Sequence, residues 1–138
     1  MIGEEGAFDF VQRLAQEYAR KNEGHYHKTV TNFLQRAYLA ALGIKKEPAE
    51  FERLKADPFW KAPWQRPKDA STSKWVLYFI MGAKTAEVRI RATKYAVILD
   101  NYLQWDWWPE EIITSIEYEG GVEAAYEAIQ ARKRAFAD

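Results

Sequence analysis

The sequence predicts an all-α fold, a single compact domain of five or six helices packed around a long central helix at about residues 72–103. Between Ser71 and Tyr102 about thirty residues pass without a proline. At 100° per residue, the apolar side chains of that stretch fall on two opposite faces. Other stretches show the single apolar stripe of an amphipathic helix. A helix that is apolar on two faces needs cover on both, so we expect helices on either side of it.

Three helices are expected before the central one. The first should run over about Ala7–Asn22, and the second over about Tyr26–Leu42, with Gly43 in position for its C-terminal cap. Pro48 suits the first turn of a short third helix over about Ala49–Lys55, because the first turn of a helix leaves its amide hydrogens unpaired and proline has none.

The stretch from Asp57 to Asp69 contains three prolines, which exclude a regular helix there. It also carries three aromatic side chains, Phe59, Trp60 and Trp64. Rings of this size each bury ~150–250 Å², so we expect the stretch to fold back onto the body and not to separate two domains. Residues 1–138 are therefore treated as one domain.

The length of the central helix leaves two alternatives. Thirty residues make a rod of about 45 Å, whereas a compact domain of this size has a diameter of roughly 37 Å. Either the helix is interrupted between about Met81 and Lys84, near Gly82, or it overhangs and needs a partner. In both cases we expect burial of at least one residue from each of two faces: Val88, Ala92, Tyr95 and Leu99 on one, and Phe79, Ile90 and Val97 on the other.

After Tyr102 the chain forms a turn dense in tryptophan, then a short helix opened by Pro109 and ended by Gly120-Gly121, then a final helix over about Val122–Phe136. The partner-binding residues predicted in this turn are Trp105, Trp107 and Trp108. Crowding around Asp106 should leave at least one ring exposed, and we expect it to be Trp107, because Trp108 is better placed to staple the following helix. The alternative is that all three rings lock the turn onto the long helix.

The net charge is zero, from 20 basic and 20 acidic residues, but the charges are segregated. Residues 20–46 sum to +5, residues 71–104 to +3 and residues 105–127 to −7. Packing of the acidic segment on the basic ones, or simple solvation of the separate charges, is the preferred explanation, and two surfaces of opposite sign are the alternative. The absence of cysteine, of a signal-like N-terminus and of a long apolar run predicts a cytoplasmic protein without a membrane partner.

No catalytic, metal or cofactor site is predicted. His25 and His27 would lie about 200° apart on a helix and lack a third ligand nearby. Glu110 and Glu111 diverge by 100°, and Gly120-Gly121 lacks the lysine and hydroxyl of a phosphate-binding loop. An enzyme whose site is assembled from dispersed residues is the third-ranked hypothesis.

The preferred function is that of a non-enzymatic accessory or regulatory protein that binds another protein, including a second copy of itself. The runner-up is nucleic-acid binding through basic side chains interleaved with aromatic rings. The residues assigned to that surface are Arg20, Lys21, Lys28, Arg36, Lys84, Arg89, Arg91 and Lys94. The net charge of zero weighs against it, because dedicated nucleic-acid binders carry a large positive excess.

Overall fold

The computed structural model describes residues 6–21, 30–67 and 71–137. Within these ranges it contains seven α-helices, one short 3₁₀ turn at Pro63–Gln65 and no strand. The helices are α1 (Ala7–Lys21), α2 (Val30–Lys46), α3 (Pro48–Lys55), α4 (Thr72–Met81), α5 (Ala86–Gln104), α6 (Glu110–Glu119) and α7 (Val122–Ala137). The all-α prediction is confirmed, and the seventh helix arises because the long central helix is divided in two.

Helix α4 is enclosed on almost every side. Seven of its ten residues are buried, including the unbroken run from Val76 to Met81. It packs against α1, α2, α3 and α5, while α5 continues the core toward α7 and α6 packs on α2 and α7. Apolar residues on all faces of a helix require such enclosure, which confirms the expectation of cover on both sides.

The central helix is interrupted where the glycine lies. Gly82 has a φ of 95° and Ala83 a φ of 44°, both in the left-handed region, and Gly82 ends α4. The Thr85 hydroxyl then accepts a hydrogen bond from the amide of Val88 at 3.1 Å and caps α5. Of the two alternatives for this stretch, the interrupted helix is therefore the one observed.

Burial on the two expected faces is confirmed, with one informative exception. Ala92, Leu99 and Phe79 are buried. Ile90, which a continuous helix would place on the same face as Phe79, is 68% exposed. The break after Met81 removes the fixed angular relation between the residues before and after it. The face predicted for a continuous helix therefore does not apply to the residues of α5.

The expected end of the second helix at Gly43 is wrong, because α2 continues through it to Lys46. A Cβ atom at Gly43 would lie 3.3 Å from the Cβ of Ala7, so this glycine allows α1 to pack closely on α2. The expected start of this helix at Tyr26, and the end of the first helix at Asn22, lie outside the described residues.

The proline-spaced stretch folds back onto the core, as predicted. Trp60 is buried, and its indole nitrogen donates a hydrogen bond to the carbonyl of Leu54 at 2.8 Å. The rings of Trp60 and Trp75 have centroids 4.8 Å apart, and so do those of Phe59 and Phe79. These contacts attach the stretch to α3 and α4; the side chain of Trp64 lies outside the described part.

Replacing Leu99 by alanine should lower the free energy of unfolding by ~2–5 kcal/mol, because it removes a large side chain from a close-packed site. Chemical denaturation measures this loss. Ile90→Ala is the matched control on the same helix, and its exposed side chain predicts a change within ~0.5 kcal/mol. Equal losses for the two variants would contradict the observed orientation of α5.

Gly82→Ala should destabilise the protein by ~1–2 kcal/mol, because a left-handed φ is unfavourable for a residue with a Cβ atom. A Cβ atom there would meet nothing within 4 Å, so backbone strain is the cause being measured. Gly82→Asn should lose less stability, since asparagine tolerates this conformation better. An alanine variant with the wild-type thermal midpoint would refute the assignment.

Candidate functional site

The turn that follows α5 is a regular helix-ending motif. The carbonyl of Tyr102 accepts a hydrogen bond from the amide of Trp107 at 3.2 Å, and the carbonyl of Leu103 accepts one from Asp106 at 3.2 Å. Asp106 has a φ of 54°. This pair of bonds around a left-handed residue is the Schellman motif, in which the residue after the left-handed one packs on the last helical turn. The centroids of the Trp107 and Tyr102 rings are accordingly 5.0 Å apart.

The motif determines which tryptophans face solvent. Trp105 is 68% exposed and Trp108 is 69% exposed, whereas Trp107 is half-buried. The expectation of at least one exposed ring is confirmed, but the choice of Trp107 is wrong. A left-handed aspartate at position 106 directs the next side chain back onto Tyr102. An aspartate followed by an apolar residue just after a helix is the sequence signal that could have indicated this.

A buried hydroxyl group on α2 holds the turn from below. The hydroxyl of Tyr38 donates a hydrogen bond to the carbonyl of Trp107 at 2.8 Å, and the carbonyl of Tyr102 lies 3.3 Å from the same oxygen. Burial, and secondarily the Asp106 carboxylate, raises the pKa of Tyr38 above its ordinary value. The phenol therefore keeps the proton that it donates.

Two more side chains of α2 contact the same segment. The amide of Gln35 donates a hydrogen bond to the carbonyl of Pro109 at 2.9 Å, and the ammonium of Lys45 donates one to the carbonyl of Leu103 at 3.2 Å. Together with Tyr38, these residues contact the segment in reverse chain order, so α2 runs antiparallel to it. Sequence reasoning missed all three, because each bond joins residues at least 58 positions apart.

A third large apolar side chain, Leu39, is exposed on α2. It lies one helical turn beyond Gln35, and it is 47% exposed. We call Leu39, Trp105 and Trp108 the indole surface. These three are half of the large apolar side chains that are exposed within the described residues.

Acidic residues lie close in sequence to the two exposed tryptophans. Asp106, Glu110 and Glu111 are exposed, and none of them forms an ion pair with another described residue. Glu110 and Glu111 occupy the first turn of α6, where they complement the helix dipole. From Trp105 to Ala131 the sequence has seven acidic residues and no lysine or arginine.

Three of the basic residues assigned to a nucleic-acid surface already have partners. Arg36 pairs with Glu17 of α1 at 2.7 Å, and Lys94 pairs with Glu123 of α7 at 2.9 Å. The guanidinium of Arg89 donates a hydrogen bond to a backbone carbonyl of the α4–α5 connection at 3.2 Å. The Lys94–Glu123 pair joins the basic segment 71–104 to the acidic segment 105–127. Such a contact is expected if the acidic segment packs on a basic one.

The remaining basic candidates are spread over several elements. Arg20 on α1, Lys84 before α5 and Arg91 on α5 are exposed. The side chain of Lys21 and the whole of Lys28 lie outside the described residues, as do His25 and His27. Nucleic-acid binding through the eight assigned cations stays a prediction.

The described residues also line clefts away from the indole surface. A cleft of about 640 Å³ lies between α1 and the end of α4, with Tyr18, Phe59 and Met81 among its lining residues and Lys84 at its edge. A smaller cleft of about 320 Å³ lies between α5 and α7, where the hydroxyls of Tyr78 and Thr93 are 3.2 Å apart. The Thr93 hydroxyl also donates to the carbonyl of Arg89 at 2.8 Å. The Tyr78 and Thr93 hydroxyls of this cleft are thus bonded to each other.

Within the described ranges, no group of three or more histidine, cysteine or acidic side chains is arranged to hold a metal ion. None of the helices in those ranges combines the length and the apolar character that crossing a bilayer requires.

Comparison with protein-family models, with curated proteins and with solved structures finds no match to this chain.

Proposed function

We propose that this chain is a non-enzymatic accessory protein that acts by binding another protein, and that the partner docks on the indole surface. One observation carries the proposal. Trp105 and Trp108 are exposed by more than two thirds, yet the backbone that bears them is fixed by hydrogen bonds within α5 and from α2. The backbone that carries the two rings is thus ordered, while the rings themselves stay exposed to solvent.

The energetics of such an arrangement favour association. An indole brings a large apolar area with few rotatable bonds, and covering one at an interface can contribute ~2 kcal/mol or more. A backbone that is already ordered loses little conformational entropy on binding, so more of that contribution remains as affinity. Trp107 packs on Tyr102 and stabilises the fold. Trp105 and Trp108 remain exposed and can contact a partner.

The other hypotheses have less support. Among the eight cations assigned to nucleic-acid binding, Arg36 and Lys94 are paired with carboxylates. Exposed acidic residues lie close in sequence to the exposed tryptophans, which disfavours phosphates there. An enzymatic role has less to argue from, because the Tyr78 and Thr93 hydroxyls in the cleft between α5 and α7 are bonded to each other. The cytoplasm remains the expected compartment.

The double variant Trp105→Ala/Trp108→Ala should keep its thermal midpoint within about two degrees, because neither ring contributes to the core. It should nevertheless lose the proteins that the wild type captures from its native cell extract, with and without nuclease treatment. Tyr118→Ala is the matched control, since Tyr118 is an aromatic side chain on α6 that is 88% exposed.

Capture by the double variant equal to that by wild type would refute the indole surface as the docking site. Loss of capture only after nuclease treatment would favour nucleic-acid binding instead. Sedimentation velocity of the purified protein adds a separate arm, in which a dimer that the double variant cannot form would identify a second copy as the partner.

Tyr38→Phe should weaken partner binding although residue 38 is fully buried and cannot touch a partner. The variant loses the hydrogen bond to the Trp107 carbonyl, which should lower the free energy of unfolding by ~1–2 kcal/mol and loosen the turn. Tyr78→Phe is the control, because it removes another buried hydroxyl, bonded to Thr93, away from the turn. Equal binding by both variants would contradict the role given to a fixed backbone.

A further inference from the structure

We infer that the partner segment covering the indole surface is basic, with lysine or arginine side chains resting on the rings of Trp105 and Trp108 and pairing with the neighbouring carboxylates. The inference rests on the proposed function and names the chemistry of its partner. Charge complementarity carries it.

The local charge is strongly one-sided although the whole chain is neutral. Asp106 lies between the tryptophans in sequence, and Glu110 and Glu111 follow within three residues of Trp108. All three are exposed and form no ion pair with another described residue. Lys45 of α2, which contacts the end of α5, donates its hydrogen bond to the carbonyl of Leu103. These carboxylates are thus available to an external cation.

Tryptophan is the aromatic side chain that attracts cations most strongly, through the negative face of its ring. The same combination of ring, carboxylate and cation occurs elsewhere in this chain, fully occupied. The ammonium of Lys94 lies 5.3 Å from the ring centroid of Tyr126 and 2.9 Å from Glu123. The Arg53 guanidinium lies 5.2 Å from the Phe8 ring and pairs with Glu50 at 3.2 Å. At the indole surface the rings and acids are present, and the cation must come from a partner.

The local charge also disfavours other occupants. Nucleic acids and anionic lipid surfaces present phosphates, which three exposed carboxylates would repel. A neutral apolar segment could cover the rings but would leave those carboxylates without a partner. A basic segment satisfies both the rings and the acids, and the acids would also speed its approach at low salt.

The experiment selects a displayed library of random linear peptides on the wild-type protein. Peptides that also bind the Trp105→Ala/Trp108→Ala variant are removed. Those that remain depend on the two indoles, and we expect them to be enriched in lysine and arginine relative to the starting library. One enriched peptide is then synthesised, and its affinity is measured by fluorescence anisotropy.

The affinity of that peptide should fall ~3- to 10-fold in the Glu110→Gln/Glu111→Gln variant, as expected for two exposed charge contacts. It should also fall as the salt concentration is raised from about 0.05 M to about 0.5 M, because exposed charges are then screened. The control is Glu117→Gln/Glu127→Gln, which makes the same change in net charge at exposed positions further along α6 and on α7. That control should change the affinity less than twofold.

Two results would overturn the inference and leave the proposed function standing. One is a set of indole-dependent peptides that are neutral or acidic, and the other is an equal loss of affinity in the two glutamine variants. If no peptide depends on the indoles, or if the only indole-dependent complex is a dimer of this chain, a basic linear segment is not the occupant. Failure of the proposed function is recognised separately, by unchanged capture of cell proteins in the tryptophan double variant.

Discussion

The hydrogen bond from the Tyr38 hydroxyl to the Trp107 carbonyl attaches the turn between α5 and α6 to α2. Tyr38 lies on α2, the accepting carbonyl lies between α5 and α6, and the Tyr38 ring meets Tyr102 edge-on with centroids 6.4 Å apart. Burial also raises the pKa of Tyr102, whose hydroxyl lies 2.8 Å from that of Ser115 on α6. The protonated hydroxyls of Tyr38 and Tyr102 therefore hold the α5–α6 turn in position on the core.

Hydrophobic periodicity was sufficient to predict the helices, because the outer helices are amphipathic and the central segment is apolar on two faces. It also exposed the length problem of the central segment, and Gly82 marked the place of the break. Gly43 was misleading for a physical reason. Glycine ends helices by its backbone freedom but also permits close helix packing by lacking a side chain, and only the position of Ala7 distinguishes the two.

The candidate site was only half predictable. Three tryptophans within four positions indicate that the turn is a candidate site. Which of the rings packs inward depends on the left-handed conformation of Asp106 and on the hydroxyl of Tyr38, which is distant in sequence. A hydrogen bond between residues 69 positions apart leaves no periodic pattern in a single sequence from which it could be predicted. Segregated charge was visible as well, although only the structure separates acids engaged inside, such as Glu123, from acids left at the turn.

The unequal environments of the tryptophans give the molecule built-in optical probes. Indole emission shifts to longer wavelength in water and to shorter wavelength in an apolar setting. Trp60 lies in the core, so its emission reports on folding. Trp105 and Trp108 are exposed to solvent, so their emission reports on binding at the turn. A blue shift without any gain in secondary structure would thus register occupancy of that surface, and the unmodified chain can be followed without an added label.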